Sequence, residues 1–158
     1  MSYQIVTPIP VAPIISARIH LCFDCDFPMD SLNELIGLQA AEMKRQSKTR
    51  INPLTHKQNP GYWSYYTEHV SSFDCAPFFS SLNRMLMAHA QGLRQAIEQH
   101  QPGEIYICIQ VLVQQEDEYP SIRLSPQLLS TISSLNAFLD IIVENDYSTE
   151  DHALELNE

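Results

Sequence analysis

The stretch Ile105-Tyr106-Ile107-Cys108-Ile109-Gln110-Val111-Leu112-Val113 decides the fold class. Ile105, Ile107, Ile109, Val111 and Val113 alternate strictly with the residues between them, the period-2 signature of a core strand. Pro102-Gly103 stands before it and closes a different pattern. There Phe78, Leu82, Met85, Leu86, His89, Leu93 and Ile97 recur at spacings of three and four, which predicts an amphipathic helix of about 24 residues. Asp74 is its expected N-cap, with Pro77 in the first turn. Downstream, Ser125-Pro126 reads as an N-cap followed by proline at the first helical position, and Leu128, Leu129, Ile132 and Leu135 give that helix an apolar face. Residues 138–143 read as a last strand.

The same periods organise the N-terminal half. Ile15, Ala17, Ile19, Leu21 and Phe23 point one way, while Ser16, Arg18, His20, Cys22 and Asp24 point the other. Ser31 and Glu34 then have capping-box spacing, Leu32, Leu35 and Ile36 form a stripe, and Gly37 sits where a short helix stops. Tyr62 to Thr67 is rich in strand-favouring aromatics and reads as a second strand. A further strand is expected near Ile122–Leu124. The alternation of strands and helices predicts an α/β (α+β) sandwich: a mixed sheet of four to five strands with two or three helices packed on it. Residues 1–14 read as a proline-rich arm, 15–147 as a single domain and 148–158 as an acidic tail.

At 158 residues the chain is long enough for one core without a disulfide or metal staple. Its formal net charge of −10 disfavours nonspecific DNA binding and docking on anionic membranes, both of which need a positive footprint. Four scattered glycines cannot build a phosphate loop or a dinucleotide fingerprint. No run of 18 apolar residues predicts a membrane span, and three prolines interrupt the N-terminal apolar stretch, so the expected compartment is the cytoplasm.

Cys22-Phe23-Asp24-Cys25 is a CxxC. It falls at the end of a predicted strand, not at the helix N-terminus that would lower a thiol pKa, and Cys75 and Cys108 are isolated singles rather than a second zinc-binding pair. The four are read as reduced structural cysteines, with no metal and no cofactor expected. His89 lies on the apolar stripe of the long helix and reads as structural. No nucleophile elbow or convergent catalytic set is present, so no catalytic residue is assigned and the reading leans away from an enzyme.

The candidate binding residues lie around the aromatic strand: Tyr62, Trp63, Tyr65 and Tyr66, with His69 just beyond it. On a strand Trp63 and Tyr65 share one face and Tyr62 and Tyr66 the other, so at least one face belongs to the core. The loop 39–60 carries five of the nine basic residues, among them Arg45, Lys48 and Arg50, and a loop of that length is expected to be mobile or functional. Aromatics beside cations suggest a single-strand nucleic-acid surface, but the whole-chain charge makes that the minority expectation.

In order and spacing, several pieces resemble a bacterial family described only as domain of unknown function 4279. They are the first strand with its acidic turn at Asp24–Asp30, Leu35-Ile-Gly-Leu38, Gly61-Tyr-Trp-Ser-Tyr65, Ile122-Arg-Leu-Ser-Pro-Gln-Leu-Leu129 and Leu135-Asn-Ala-Phe-Leu-Asp-Ile141. The resemblance runs from about Ile15 to Tyr147 and implies a small cytoplasmic α/β domain. It supplies no reaction and no catalytic residues. The leading expectation is a non-catalytic protein-binding module, by class analogy immunity- or inhibitor-like, using an acidic and aromatic surface. The alternative is a small-molecule site or weakly specified enzyme between the sheet and the 39–60 loop. A homodimer through a sheet edge, either the aromatic strand or the last one, is a separate expectation.

Overall fold

The computed structural model describes residues 9–24, 27–45, 53–54, 56, 60–116 and 118–146. Nine elements follow in chain order: β1 (Ile14–Phe23), α1 (Met29–Ile36), β2 (Glu42–Lys44), β3 (Gly61–Tyr66), β4 (Val70–Ser71), α2 (Ala76–His100), β5 (Glu104–Val113), α3 (Pro126–Ser134) and β6 (Phe138–Asn145). They form an α+β fold with a mixed sheet of six strands and three helices.

The sheet order is β2-β3-β1-β5-β6, with β4 pairing the start of β1. β1 is antiparallel to both β3 and β5, and β6 runs parallel to β5 after the crossover through α3. Beyond the end of β3, the chain stays fastened to β1. Thr67 N–H donates to the Ala17 carbonyl, and its Oγ1 accepts from Ala17 N–H.

The alternating residues of β1 and β5 meet in one core. Ile15, Ile19, Leu21 and Phe23 face the helices beside Ile107 and Ile109, all essentially inaccessible to water. The same core takes Leu32 and Ile36 of α1, Leu82, Leu86 and Leu93 of α2, and Leu128 and Ile132 of α3, so all three helices lie on one face of the sheet. Among the described residues, no helix packs on the other face.

Close approach of α1 and α2 depends on Gly92. A β-carbon there would lie 2.3 Å from the Leu35 carbonyl oxygen and 2.8 Å from Ile36 Cα, both backbone atoms that cannot swing away. Gly92→Ala should therefore lower stability by about 1–3 kcal/mol, the usual cost of overpacking, against the gain in helix propensity expected at an open site. Thermal unfolding followed by circular dichroism measures it; an unchanged or raised midpoint would show that α1 is free to move off α2.

Several boundaries differ from the sequence reading for local reasons. Short strands β2 and β4 raise the strand count to six; three and two residues are too few to show a period. Helix α1 begins at Met29 with Pro28 at its N-cap, so Ser31 is not the cap; its hydroxyl donates back to the Pro28 carbonyl. Cys75 rather than Asp74 occupies the N-cap of α2, although the Asp74 carboxylate accepts from Ala76 N–H at 3.0 Å. Ser125 caps α3 as expected, accepting from Leu128 N–H. Ile122–Leu124 forms no strand: bracketed by Pro120 and Pro126, it runs as irregular chain with Ile122 and Leu124 against the core. The aromatic strand β3 is interior, between β2 and β1, so only the last strand, β6, retains the expected edge.

Candidate functional site

The face of the sheet away from the helices is built by the residues that alternate with the core. The register aligns one row across five strands: Glu42, Ser64, His20, Tyr106 and Phe138. At about 4.8 Å per strand such a row spans roughly 19 Å. Tyr62 lies beside it across from Cys22, and Tyr66 across from Arg18 on the other side.

His20 stands at the centre. Its ring stacks on Tyr106 at 4.6 Å and on Tyr62 at 5.2 Å between centroids, and its Nδ1 shares a 2.5 Å hydrogen bond with Ser64 Oγ. Ser64 is completely buried and His20 nearly so, although both are on the face without helices; the rings of Tyr62 and Tyr106 stack on His20. Burial, reinforced by the positive charge of Arg18 and opposed by Glu42, lowers the His20 pKa to about 4. The imidazole is neutral at pH 7 and a poor base.

Arg18 lies next along β1 on this face. Its guanidinium carbon sits 5.9 Å from the centroid of the Tyr66 ring, a cation–π distance, and Tyr66 OH donates to Glu42 at 3.3 Å. The Arg18 Nε is buried with no hydrogen-bond partner among the described residues. Among the described residues, exposed Glu42, Glu104 and Asp140 flank these rings, against Lys44 and the half-buried Arg18.

Thiol chemistry is discouraged on the same face. Burial raises the pKa of Cys22, with Glu104 and Asp24 adding to it. Cys108 is raised by burial as well, against the pull of Arg18 and with help from Asp140 and Glu144. Cys25, the second thiol of the CxxC, lies outside the described residues. Among the described residues no group of three His, Cys, Asp or Glu side chains is placed to hold a metal ion, and no helix is long and apolar enough to cross a membrane.

The structure divides the sequence-nominated residues between two faces. Tyr62 and Tyr66, both half-buried, are on the face that no described helix covers. His69 is exposed and reaches the same face at a cleft of about 190 Å3 with Ser16, Gln110 and Glu144. Trp63 is fully buried on the core side, its indole N–H donating to Asn33 Oδ1 at 2.9 Å, which leaves it no surface to offer a ligand. Tyr65 also turns to the core side and borders a hollow of about 300 Å3 with Phe78, Leu82 and Met85 of α2. Arg45 is exposed beside Met29, its Nε 3.3 Å from the sulfur. Lys48 and Arg50 lie outside the described residues, as does the tail from 148. His89 is half-buried between helices, its Nδ1–H donating to the Ile36 carbonyl.

Sequence reading missed His20, Tyr106 and Arg18 as site residues. The signal was present as a run of polar and aromatic positions alternating with the core of β1 and β5, but their convergence depends on pairing between residues 86 apart in the case of His20 and Tyr106. A crevice of about 490 Å3 lies elsewhere, where α3 meets the starts of β5 and β6; Glu104 is the one ionisable side chain among the described residues that line it.

No curated protein and no solved structure matches the chain. A family model described as a domain of unknown function does match it, over residues 15–146, from the second residue of β1 to the residue after β6. Since that span takes in the whole six-stranded sheet and all three helices, the chain belongs to the DUF4279 family.

Proposed function

We propose that this chain is a non-catalytic protein-binding module that presents the open face of its sheet to a basic partner, in the manner of an immunity or inhibitor protein. The observation that carries this reading is the aromatic cluster of His20 stacked on Tyr62 and Tyr106, with Phe138 next in register to Tyr106, on a face that no described helix covers and that exposed carboxylates flank. Tyrosine supplies large contact area at low entropic cost, and the acids steer a cationic partner onto it. The neutral, caged His20 supports a platform rather than proton transfer at neutral pH.

Affinity capture from the native cells, at low and high salt, tests the proposal alongside a Glu104→Lys/Asp140→Lys double variant. Both positions are exposed, so the variant should keep its fold. A basic protein recovered by the native chain at low salt, with recovery at least about tenfold lower at high salt and in the double variant, is the expected result. Recovery indifferent to salt and to charge reversal would overturn the reading, as would recovery of the bait alone.

A second reading, a small-molecule site, draws on the buried Arg18 Nε on the same face, which has no hydrogen-bond partner among the described residues. An anionic compound that raises the thermal midpoint of the native chain but not of Arg18→Leu would favour it over the protein partner.

A further inference from the structure

The outer strand β6 has the marks of an interface left open. Five of its eight residues, Phe138, Leu139, Ile141, Ile142 and Val143, are large and apolar, yet every residue but Leu139 is exposed. Ile141 and Val143 project to the helix side of the sheet, in phase with Ile109 and Val111 of β5, but are left 43% and 47% exposed while those two are buried. Exposed Leu129 of α3 extends the apolar surface on the same side. Among the described residues nothing pairs with the outer edge of β6. A long apolar edge of this kind presents unpaired backbone donors and acceptors to any strand that fits.

The geometry points to a second copy of this chain as the occupant, paired β6 to β6 in antiparallel fashion about a two-fold axis through Ile141 and normal to the sheet. Such an axis keeps like faces together, so residues opposite each other must share parity. Centring on Ile141 sets Ile141 against itself, Leu139 against Val143, Asp140 against Ile142 and Phe138 against Glu144, and brings the exposed helix-side residues into contact. Centring on Ile142 instead opposes Asp140 to Glu144, and centring on Asp140 opposes it to itself; carboxylates directly across a ladder repel. The Ile141 register pairs the strand from 138 to 144 without facing two acids. It also joins the two sheets into one twelve-stranded sheet with all helices on one side.

This proposal is independent of the partner at the open face, and salt separates the two. Copies that each carry −10 repel, so salt should tighten the dimer, whereas it weakens capture of a basic partner. The test is sedimentation or light-scattering mass of the full chain at tens of micromolar, with and without added salt, beside Ile141→Lys. The native chain should have twice its 18.0 kDa monomer mass and the variant the monomer mass, with unchanged far-ultraviolet circular dichroism. Single cysteine variants fix the register under mild oxidation. Ile141→Cys opposes its own copy within disulfide reach, while Ile142→Cys lies on a diagonal of about 7–8 Å and should crosslink no more than the native chain. A native chain of monomer mass, a dimer that survives Ile141→Lys, or crosslinking through position 142 in place of 141 would each overturn the proposal.

Discussion

Replacing Trp63 with alanine should cost about 3–5 kcal/mol, the range for emptying a large aromatic from a packed core. Whole-domain stabilities run about 5–15 kcal/mol, so the variant will be barely folded or unfolded at 25 °C. Trp63 is the largest of the completely buried side chains, on the core side of β3 opposite Leu21 of β1. Its loss also removes a hydrogen bond: Asn33 Oδ1 accepts from the Trp63 indole at 2.9 Å and from Ala40 N–H at 2.9 Å. That one oxygen ties the end of α1, the chain leading into β2, and β3 together. Trp63→Phe keeps most of the ring volume and loses only the indole donor, so it should cost far less, about 1–2 kcal/mol. Urea unfolding of the three proteins gives both differences; an alanine variant within 1 kcal/mol of the native chain would place the indole outside the core. Because Trp63 is the single tryptophan, its fluorescence reports the same point directly. Emission should be blue-shifted and resistant to acrylamide, and it should stay so when a partner covers the open face.

Trp63 also shows where sequence reading stops. Gly61 to Tyr66 carries aromatic side chains on both of its faces, so alternation establishes two sets, Trp63 with Tyr65 and Tyr62 with Tyr66, but not which set is wet. The choice is made by pairing across the sheet, where Trp63 falls beside Leu21 and Tyr62 beside Cys22. β1, β5 and α2 were legible because each carries its own period over ten or more residues with one consistently apolar face. Strand β6 was legible as a strand and as one of two candidate edges; that β3 is not the other follows from its pairing with β2, whose three residues are too few to show a period. Positions 16, 18, 20 and 22 read correctly as the side of β1 turned from the core. That two of them, Ser16 and His20, are nonetheless buried follows from neighbours contributed by other strands, a long-range property no local pattern carries.

Acid should weaken this protein more than it weakens a His20→Asn variant, and the divergence should open between pH 6.5 and 4. The His20 pKa falls from 6.5 to about 4 on folding, chiefly through burial and secondarily through Arg18. Between those values the unfolded chain takes up a proton that the folded chain refuses, so the unfolded state binds more protons and stability falls as pH falls through the window. Above pH 6.5 both states carry a neutral imidazole and the penalty is absent. Below about 4 both are protonated and the loss has reached its full size. The change from 6.5 to about 4 amounts to on the order of 3 kcal/mol. Asparagine can place an amide near the position of Nδ1 for Ser64 but has nothing to titrate, so its profile lacks the His20 contribution. The readout is the difference between urea midpoints at pH 7.5 and 4.5, which cancels whatever the substitution costs at neutral pH. Parallel profiles would mean that His20 takes up its proton freely in the folded protein. That result would also undo the picture of a histidine sealed between Tyr62 and Tyr106, and the platform they build with Phe138 would lose its central support.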